Sequence, residues 1–158
     1  MTATTERAIL TTPSDRSLHI VRIVHAPRER VWSAFTVADQ IAQWWGRGHK
    51  VVIERSEVVR GGRWRYVEHA DGGEYGFEGR YREVTPMSRI VRTFEYDGFP
   101  GNVMLDTTEF EDLGDGRTKI VSTSLFFTQE ERDGMLNSGM EGGMNESYAA
   151  LDRLLAQG

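Results

Sequence analysis

The sequence contains no cysteine among its 158 residues. Disulfide bonds, thiolate metal sites and cysteine nucleophiles are therefore excluded, and the composition suits a reducing compartment. The sequence also lacks any run approaching the roughly eighteen apolar residues of a membrane-spanning helix. Its polar N-terminus has no apolar core of a secretory signal. Together these absences predict a cytoplasmic protein without a membrane span.

Positive charge is also scarce. Lys and Arg total 19 against 24 Asp and Glu, which gives a net charge of −5 at pH 7. No basic stripe is present of the kind that binds phosphate backbones, so we do not expect a nucleic-acid partner. The length suits one domain with a single core, which we expect over residues 17–158. Residues 1–16 are predicted to form a flexible tail, although Ile9 and Leu10 could pair weakly at a sheet edge.

The first half of the chain begins with a strand and two short helices. Residues 17–27 are rich in β-branched side chains and end at Pro27, which predicts a strand followed by a helix with proline at its first position. Thr36 is the expected N-cap of a second short helix that ends before Gly46.

The rest of the chain predicts a meander of strands and one long helix. Six strand-like segments between residues 49 and 127 are separated by short linkers rich in Gly, Asp and Pro, as antiparallel hairpins require. Thr128 and Glu131 form a capping box, so a final helix should run from there to about Ala156. The predicted fold class is α+β, with a curved antiparallel sheet wrapped around the long C-terminal helix.

Strand alternation indicates which side chains face that helix. Arg92 shares a face with Phe94, and a buried arginine needs an anionic partner. Asp106 or Glu83 could supply it within the protein, and a ligand carboxylate is the alternative. The other inward residues are expected to be Trp64, Tyr66, Tyr75, Phe77, Tyr81, Tyr96, Ser122 and Ser124.

The predicted C-terminal helix combines an apolar stripe with residues that weaken a helix. Met140, Met144 and Tyr148 recur at helical spacing. Three glycines interrupt the stripe, each costing about 1 kcal/mol relative to alanine; they are Gly139, Gly142 and Gly143. We interpret the glycines as removing bulk and the methionines as adaptable surface beside a cavity. Close helix–sheet packing with methionine as core filler is the alternative.

Four stretches of the sequence resemble a known family: RIVHAPRERVWSAFTVADQIAQWWG, GGRWRYVEHADG, EGRYREVTPMSRIVRTFEY and LFFTQEERDGMLNSGMEGGMNESYAALDRLLA. Over about residues 17–156 the chain is similar to the branch of the START-like (SRPBCC) superfamily named after the activator of Hsp90 ATPase. The resemblance implies a helix-grip (START/Bet v 1-like) fold whose cavity, between sheet and long helix, holds lipids, polyketides or related apolar molecules. Two positions depart from the family pattern: Arg47 follows Gly46 where proline is frequent, and Met144 stands where tryptophan is frequent.

The sequence offers no recognisable catalytic or metal-binding motif. The four histidines are scattered without metal-ligand spacing, and His69 beside Glu68 and Asp71 is interpreted as part of a solvated turn. Of Trp44 and Trp45, one should anchor the short helices and the other should edge the pocket mouth. No cofactor and no metal are predicted, and catalytic residues remain unknown. The predicted ligand-binding residues are Trp45, Trp64, Tyr66, Phe77, Tyr81, Arg92, Phe94, Ser122, Ser124, Met140, Met144 and Tyr148.

Three functions are compatible with these features. The favoured one is binding of a small hydrophobic or aromatic molecule, lipid-like or polyketide-like, in the cavity. The second is a cavity enzyme of the cyclase or hydrolase type. The third is a co-chaperone-like interaction domain, which the family name implies and which a single domain of this kind makes less favoured. A homodimer is left open, and fold alone does not choose between the three.

Overall fold

The computed structural model describes residues 8–157 and shows an α+β fold. Eight strands form one antiparallel sheet: β1 (Ile9–Thr11), β2 (Ser17–Val24), β3 (Lys50–Ser56), β4 (Arg63–Ala70), β5 (Gly73–Thr85), β6 (Arg89–Tyr96), β7 (Val103–Asp112) and β8 (Thr118–Leu125). Four helices complete the fold: α1 (Arg28–Thr36), α2 (Ala38–Trp44), α3 (Gln129–Leu136) and α4 (Met140–Ala156). No helix within residues 8–157 is long and apolar enough to cross a bilayer.

The strand order is β1-β2-β8-β7-β6-β5-β4-β3, so the first long strand lies beside the last. Consecutive strands from β3 to β8 are neighbours, which follows from their short linkers. The expected pairing at the sheet edge is present, because Leu10 of β1 lies opposite Ile20 of β2. Residues 1–7 lie outside the described residues, and the domain boundary at residue 17 remains a prediction.

The helices pack on the concave side of the curved sheet. Ile41 of α2, Ile120 of β8 and Leu151 of α4 are almost completely buried and belong to one core cluster. Both short helices contact α4. The apolar side chains of three elements thus meet at one end of the sheet, and this packing positions α4 across the sheet face.

The predicted helix boundaries need two small corrections in this region. Thr36 is the last residue of α1 rather than the N-cap of α2, because its hydroxyl donates to the carbonyl oxygen of Trp32 at 2.7 Å. Val37 is the N-cap of α2 and makes no side-chain cap. Pro27 is the N-cap of α1 rather than its first residue, so the helix begins at Arg28, one residue later than expected.

The predicted C-terminal helix is in fact two helices. Thr128 caps α3 as expected, with its Oγ1 accepting from the Glu131 backbone N–H at 3.1 Å. The chain then leaves the helix after Leu136 and re-enters it at Met140. Gly139 has a φ of +84°, a left-handed conformation that glycine adopts without steric cost. The glycine therefore breaks the helix here, rather than only thinning its surface.

A second local feature changes the direction of one acidic side chain. The register between β5 and β6 shifts between Tyr81 and Glu83, as at a β-bulge. The shift leaves Tyr81 buried and lets Glu83 pair with Arg89 at 3.5 Å, with both side chains substantially exposed. Glu83 is therefore not the buried partner that was expected for Arg92.

Candidate functional site

A cavity of about 1200 Å³ lies between the concave face of the sheet and the C-terminal helices. Its walls come from strand β2 and strands β4 to β8, from α1, α2 and the segment after α2, and from α3 and α4. Aromatic and methionine side chains dominate one part of the wall, and polar side chains of the central strands form another. This combination is typical of small-molecule sites, where a few polar groups orient a mainly apolar ligand.

The structure brings the predicted site residues together along this cavity, with one exception. Those that line it are Trp45, Tyr66, Phe77, Tyr81, Arg92, Phe94, Ser122, Ser124, Met140, Met144 and Tyr148. Tyr75 and Tyr96, expected on the same faces, also line it. Strand alternation therefore predicted the inward set, whereas a ligand-binding role for these residues remains a prediction.

Trp64 is the exception, because it lies beneath the cavity wall. Its cross-strand partner is Gly79, where a Cβ would collide with the carbonyl oxygen of Thr93. The absent side chain leaves room for the indole, whose Nε1 donates to that same carbonyl oxygen at 3.1 Å. Trp64 is consequently 1% exposed, and it supports the guanidinium of Arg92 from below at 3.9 Å from the ring centroid.

Both adjacent tryptophans border the cavity, and Trp44 is the one that anchors the short helices. Trp44 is buried, and its Nε1 donates to the carbonyl oxygen of Ala34 at 2.7 Å, which ties α2 to α1. Trp45 leaves the helix and packs edge-on against Tyr66 and Phe77, with ring centroids 5.1 and 5.0 Å apart. These edge-to-face contacts form an aromatic wall of the cavity.

Arg92 and Asp106 form the polar floor of the cavity. They lie directly opposite one another on β6 and β7. Arg92 donates to the hydroxyl of Tyr66 at 3.1 Å, and Asp106 accepts from the hydroxyl of Ser124 at 2.6 Å. Both side chains are deep in the protein, and the surface that they retain faces the cavity.

Burial shifts the pKa values of two ionisable side chains that line the cavity, Asp106 and Tyr148. It raises the pKa of Asp106 above its usual value, although the Ser124 hydroxyl and the Arg92 charge act in the opposite direction. It likewise raises the pKa of Tyr148, on α4, to about 12. Tyr148 therefore stays a neutral phenol, while Asp106 is shifted toward the neutral acid.

A family model described as Activator of Hsp90 ATPase homolog 1-like protein matches residues 25–156. The chain belongs to this family. Among curated proteins, none matches the chain.

Solved structures of similar proteins share the fold. A crystal structure from Rhodobacter sphaeroides is 27% identical, with a TM-score of 0.87 over 96% of this chain and 99% of that one. A solution structure from Arthrobacter aurescens is 23% identical, with a TM-score of 0.86 over 95% and 92% of the two chains. DynU16, described as a protein in the dynemicin biosynthetic locus, is 21% identical with a TM-score of 0.70. The match covers 91% of this chain but 48% of DynU16.

Arg47, one of the two departures from the pattern of the activator-like family, lies at the cavity mouth. Its backbone has a φ of +60°, and its guanidinium donates to both carboxylate oxygens of Glu68 at 3.1 and 3.0 Å. His49 contacts the same carboxylate through Nδ1 at 2.7 Å. The arginine stem lies over Gly143, where a Cβ would come within 2.7 Å of Arg47 Cδ. The glycine thus lets the loop after α2 approach α4.

Sequence reasoning missed part of the site that alternation could have found. Met104 and Thr108 alternate with Asp106 on β7 and line the cavity with it, whereas only Asp106 was named, as a partner for Arg92. Glu68 follows Trp64 and Tyr66 at the same spacing, which signals an inward carboxylate. Its placement in a solvated turn beside His69 is therefore wrong, because Glu68 is 2% exposed and binds Arg47 and His49.

Two of the three glycines that were interpreted as removing bulk beside a cavity do border it. Gly139 and Gly143 border the cavity, whereas a Cβ at Gly142 would meet no neighbour and that residue is not part of the wall.

Proposed function

We propose that the protein binds a small hydrophobic or aromatic molecule, lipid-like or polyketide-like, between the sheet and α4. The observation that supports this function is the cavity itself. Its volume of about 1200 Å³ exceeds the roughly 300–1,000 Å³ usual for pockets that hold drug-sized ligands. A cytoplasmic location and a small apolar partner are part of the same proposal.

The wall chemistry favours a ligand with an extended apolar body. Met140 and Met144 are half-buried on one face of α4 and present unbranched, polarizable side chains to the cavity. Trp45 and Phe77 offer aromatic faces and edges on another wall. Methionine adapts to irregular shapes while the paired aromatic rings stay in place, so ligands that differ in outline could share this site.

Thermal unfolding in the presence of lipids, flavonoids, polyketides and aromatic acids tests the proposal. A ligand at a hundred times its dissociation constant stabilises the native state by about 2.7 kcal/mol. For a domain of this size that raises Tm by about 5 to 11 °C. Met144→Trp should fill part of the cavity and abolish the shift.

The matched control is Val59→Trp, since Val59 is 60% exposed and does not line the cavity. This variant should respond to ligand as the wild type does. The proposal fails if no compound shifts Tm, or if the shift survives unchanged in Met144→Trp.

A cavity enzyme of the cyclase or hydrolase type is the second candidate, and Asp106 is the observation that favours it. A carboxyl group with a raised pKa beside Arg92 is suited to donating or accepting a proton. DynU16, with the same fold, is described as belonging to a biosynthetic locus. Mass spectrometry of the compounds that raise Tm would distinguish the candidates, because an enzyme alters its ligand and a binding protein returns it unchanged.

A further inference from the structure

Arg92 is a cation inside the protein, and the described part of the chain supplies no bonded counter-charge to it. Its guanidinium stacks on Trp64 and donates to the Tyr66 hydroxyl at 3.1 Å. Within residues 8–157 no carboxylate forms an ion pair with it. Arg22 shows the contrast, because it is also buried and binds both oxygens of Asp152 at 3.4 and 2.6 Å. Arginine remains charged at every physiological pH, so Arg92 keeps donors available for an anion.

The nearest acid does not compensate this charge by direct contact. Asp106 is the cross-strand neighbour of Arg92, yet its carboxylate accepts a hydrogen bond from the Ser124 hydroxyl. Its burial also favours the neutral acid. A negatively charged group brought into the cavity would therefore meet an available guanidinium and a carboxyl group that resists ionisation.

The other residues that line the cavity indicate that the ligand also has an apolar body. Within residues 8–157 two arginines line the cavity, and Arg47 is already paired with Glu68. Apart from Glu68 and Asp106, the acidic side chains at the borders of the cavity come from the loop after β4 and from α3: they are Asp71, Glu130 and Glu131. Apolar side chains line the cavity on the strands as well as outside the sheet, and they include Phe77, Phe94, Met104, Trp45, Met140 and Met144. Among the residues that the structure describes, Arg92 is thus the lining arginine without a carboxylate partner, and its guanidinium beside an extended apolar surface matches a molecule with one anionic group and an apolar body.

We infer that the cavity binds an amphipathic acid whose carboxylate is held by Arg92 and whose apolar body contacts Trp45, Met140 and Met144. This inference rests on the proposed function and narrows its ligand class to carboxylic acids. A planar guanidinium can hold a carboxylate by two parallel hydrogen bonds, which gives both strength and orientation. When Asp106 is ionised, its negative charge repels the ligand carboxylate and weakens binding of the acid.

Two matched pairs of probes test the inference: dodecanoic acid with 1-dodecanol, and 2-naphthoic acid with 2-naphthalenemethanol. Dissociation constants are measured by calorimetry at pH 8, where a free carboxylic acid is ionised. Within at least one pair the acid should bind about tenfold or more tightly than the alcohol, as expected for hydrogen bonds to a charged group.

Three variants test whether Arg92 causes the tighter binding of the acids. Arg92→Met should remove the preference while leaving alcohol binding within about threefold of the wild type. Asp106→Asn should tighten acid binding and leave alcohol binding unchanged, so the two variants move affinity in opposite directions. Arg80→Met is the matched control, because Arg80 is exposed on β5 and its loss changes the net charge equally.

The outcomes separate this inference from the proposed function. Acids and alcohols binding equally, in wild type and in Arg92→Met, would overturn the inference and leave the proposed function standing. An acid preference that Arg80→Met also removes would overturn it too, since the effect would then come from net charge. No binding by any probe, with no Tm shift from the wider library, would overturn both.

Discussion

Truncation of two side chains on α4 tests whether the cavity is open in solution. Met144 and Leu151 are seven residues apart, and about two helical turns bring them to nearly the same face. Leu151 is 0% exposed and packs within the core cluster. Met144 is half-buried and lines the cavity. The two positions thus share a helix and a face but differ in what lies opposite.

The expected costs differ for that reason. Leu151→Ala loses a side chain packed on all sides and leaves a new void, which should cost about 2 to 5 kcal/mol of unfolding free energy. Met144→Ala loses only the contacts on its packed side, because the other side already faces open volume. Full burial of such a side chain contributes about 1.5–3 kcal/mol, so half-burial predicts a cost of about 1 kcal/mol.

Urea unfolding measures both costs, with the slope m compared among wild type and variants so that midpoint changes report stability alone. Thermal unfolding should reproduce the difference at about 2–4 °C per kcal/mol. If Met144→Ala costs as much as Leu151→Ala, Met144 packs in a closed core and the cavity is filled in solution. That result would refute the reasoning behind the proposed site.

Two further predictions concern buried polar groups. Burial raises the folded pKa of Asp106 above its usual 3.8, so the wild type loses stability as pH rises through the folded pKa. Asp106→Asn should therefore raise Tm at pH 7 to 8, and the gain should shrink toward pH 4; a gain that persists unchanged at pH 4 would contradict this assignment. Thr118 is 0% exposed and donates to the carbonyl oxygen of Ala26 at 2.8 Å. Thr118→Val should cost about 1–3 kcal/mol in urea unfolding, because that carbonyl loses its partner. The same change at Thr107, on the outer face of β7, is the control, and an equal cost at both positions would argue against the hydrogen bond as the cause.

Local rules predicted the parts of the site that depend on one segment alone. Alternation placed Arg92 and Phe94 on the inward face of β6, and it did the same for Ser122 and Ser124 on β8. The capping pattern at Thr128 located the start of α3 within one residue.

Contacts between segments decided the rest. Trp64 does not line the cavity, because its cross-strand partner Gly79 has no side chain and leaves space for the indole beneath the wall. Glu83 turned outward because a bulge shifted one strand against its neighbour.

By itself, then, the sequence determined the main element types, their order and, away from the bulge between Tyr81 and Glu83, the face on which strand residues lie, since the period of a strand is a property of the backbone. Only the tertiary structure decided that Arg92 would donate to Tyr66 and bind no carboxylate of residues 8–157, and that Arg47 would bind Glu68. Such pairings depend on strand register and helix position, which arise when distant segments pack together and cannot be read from the periodicity of either segment.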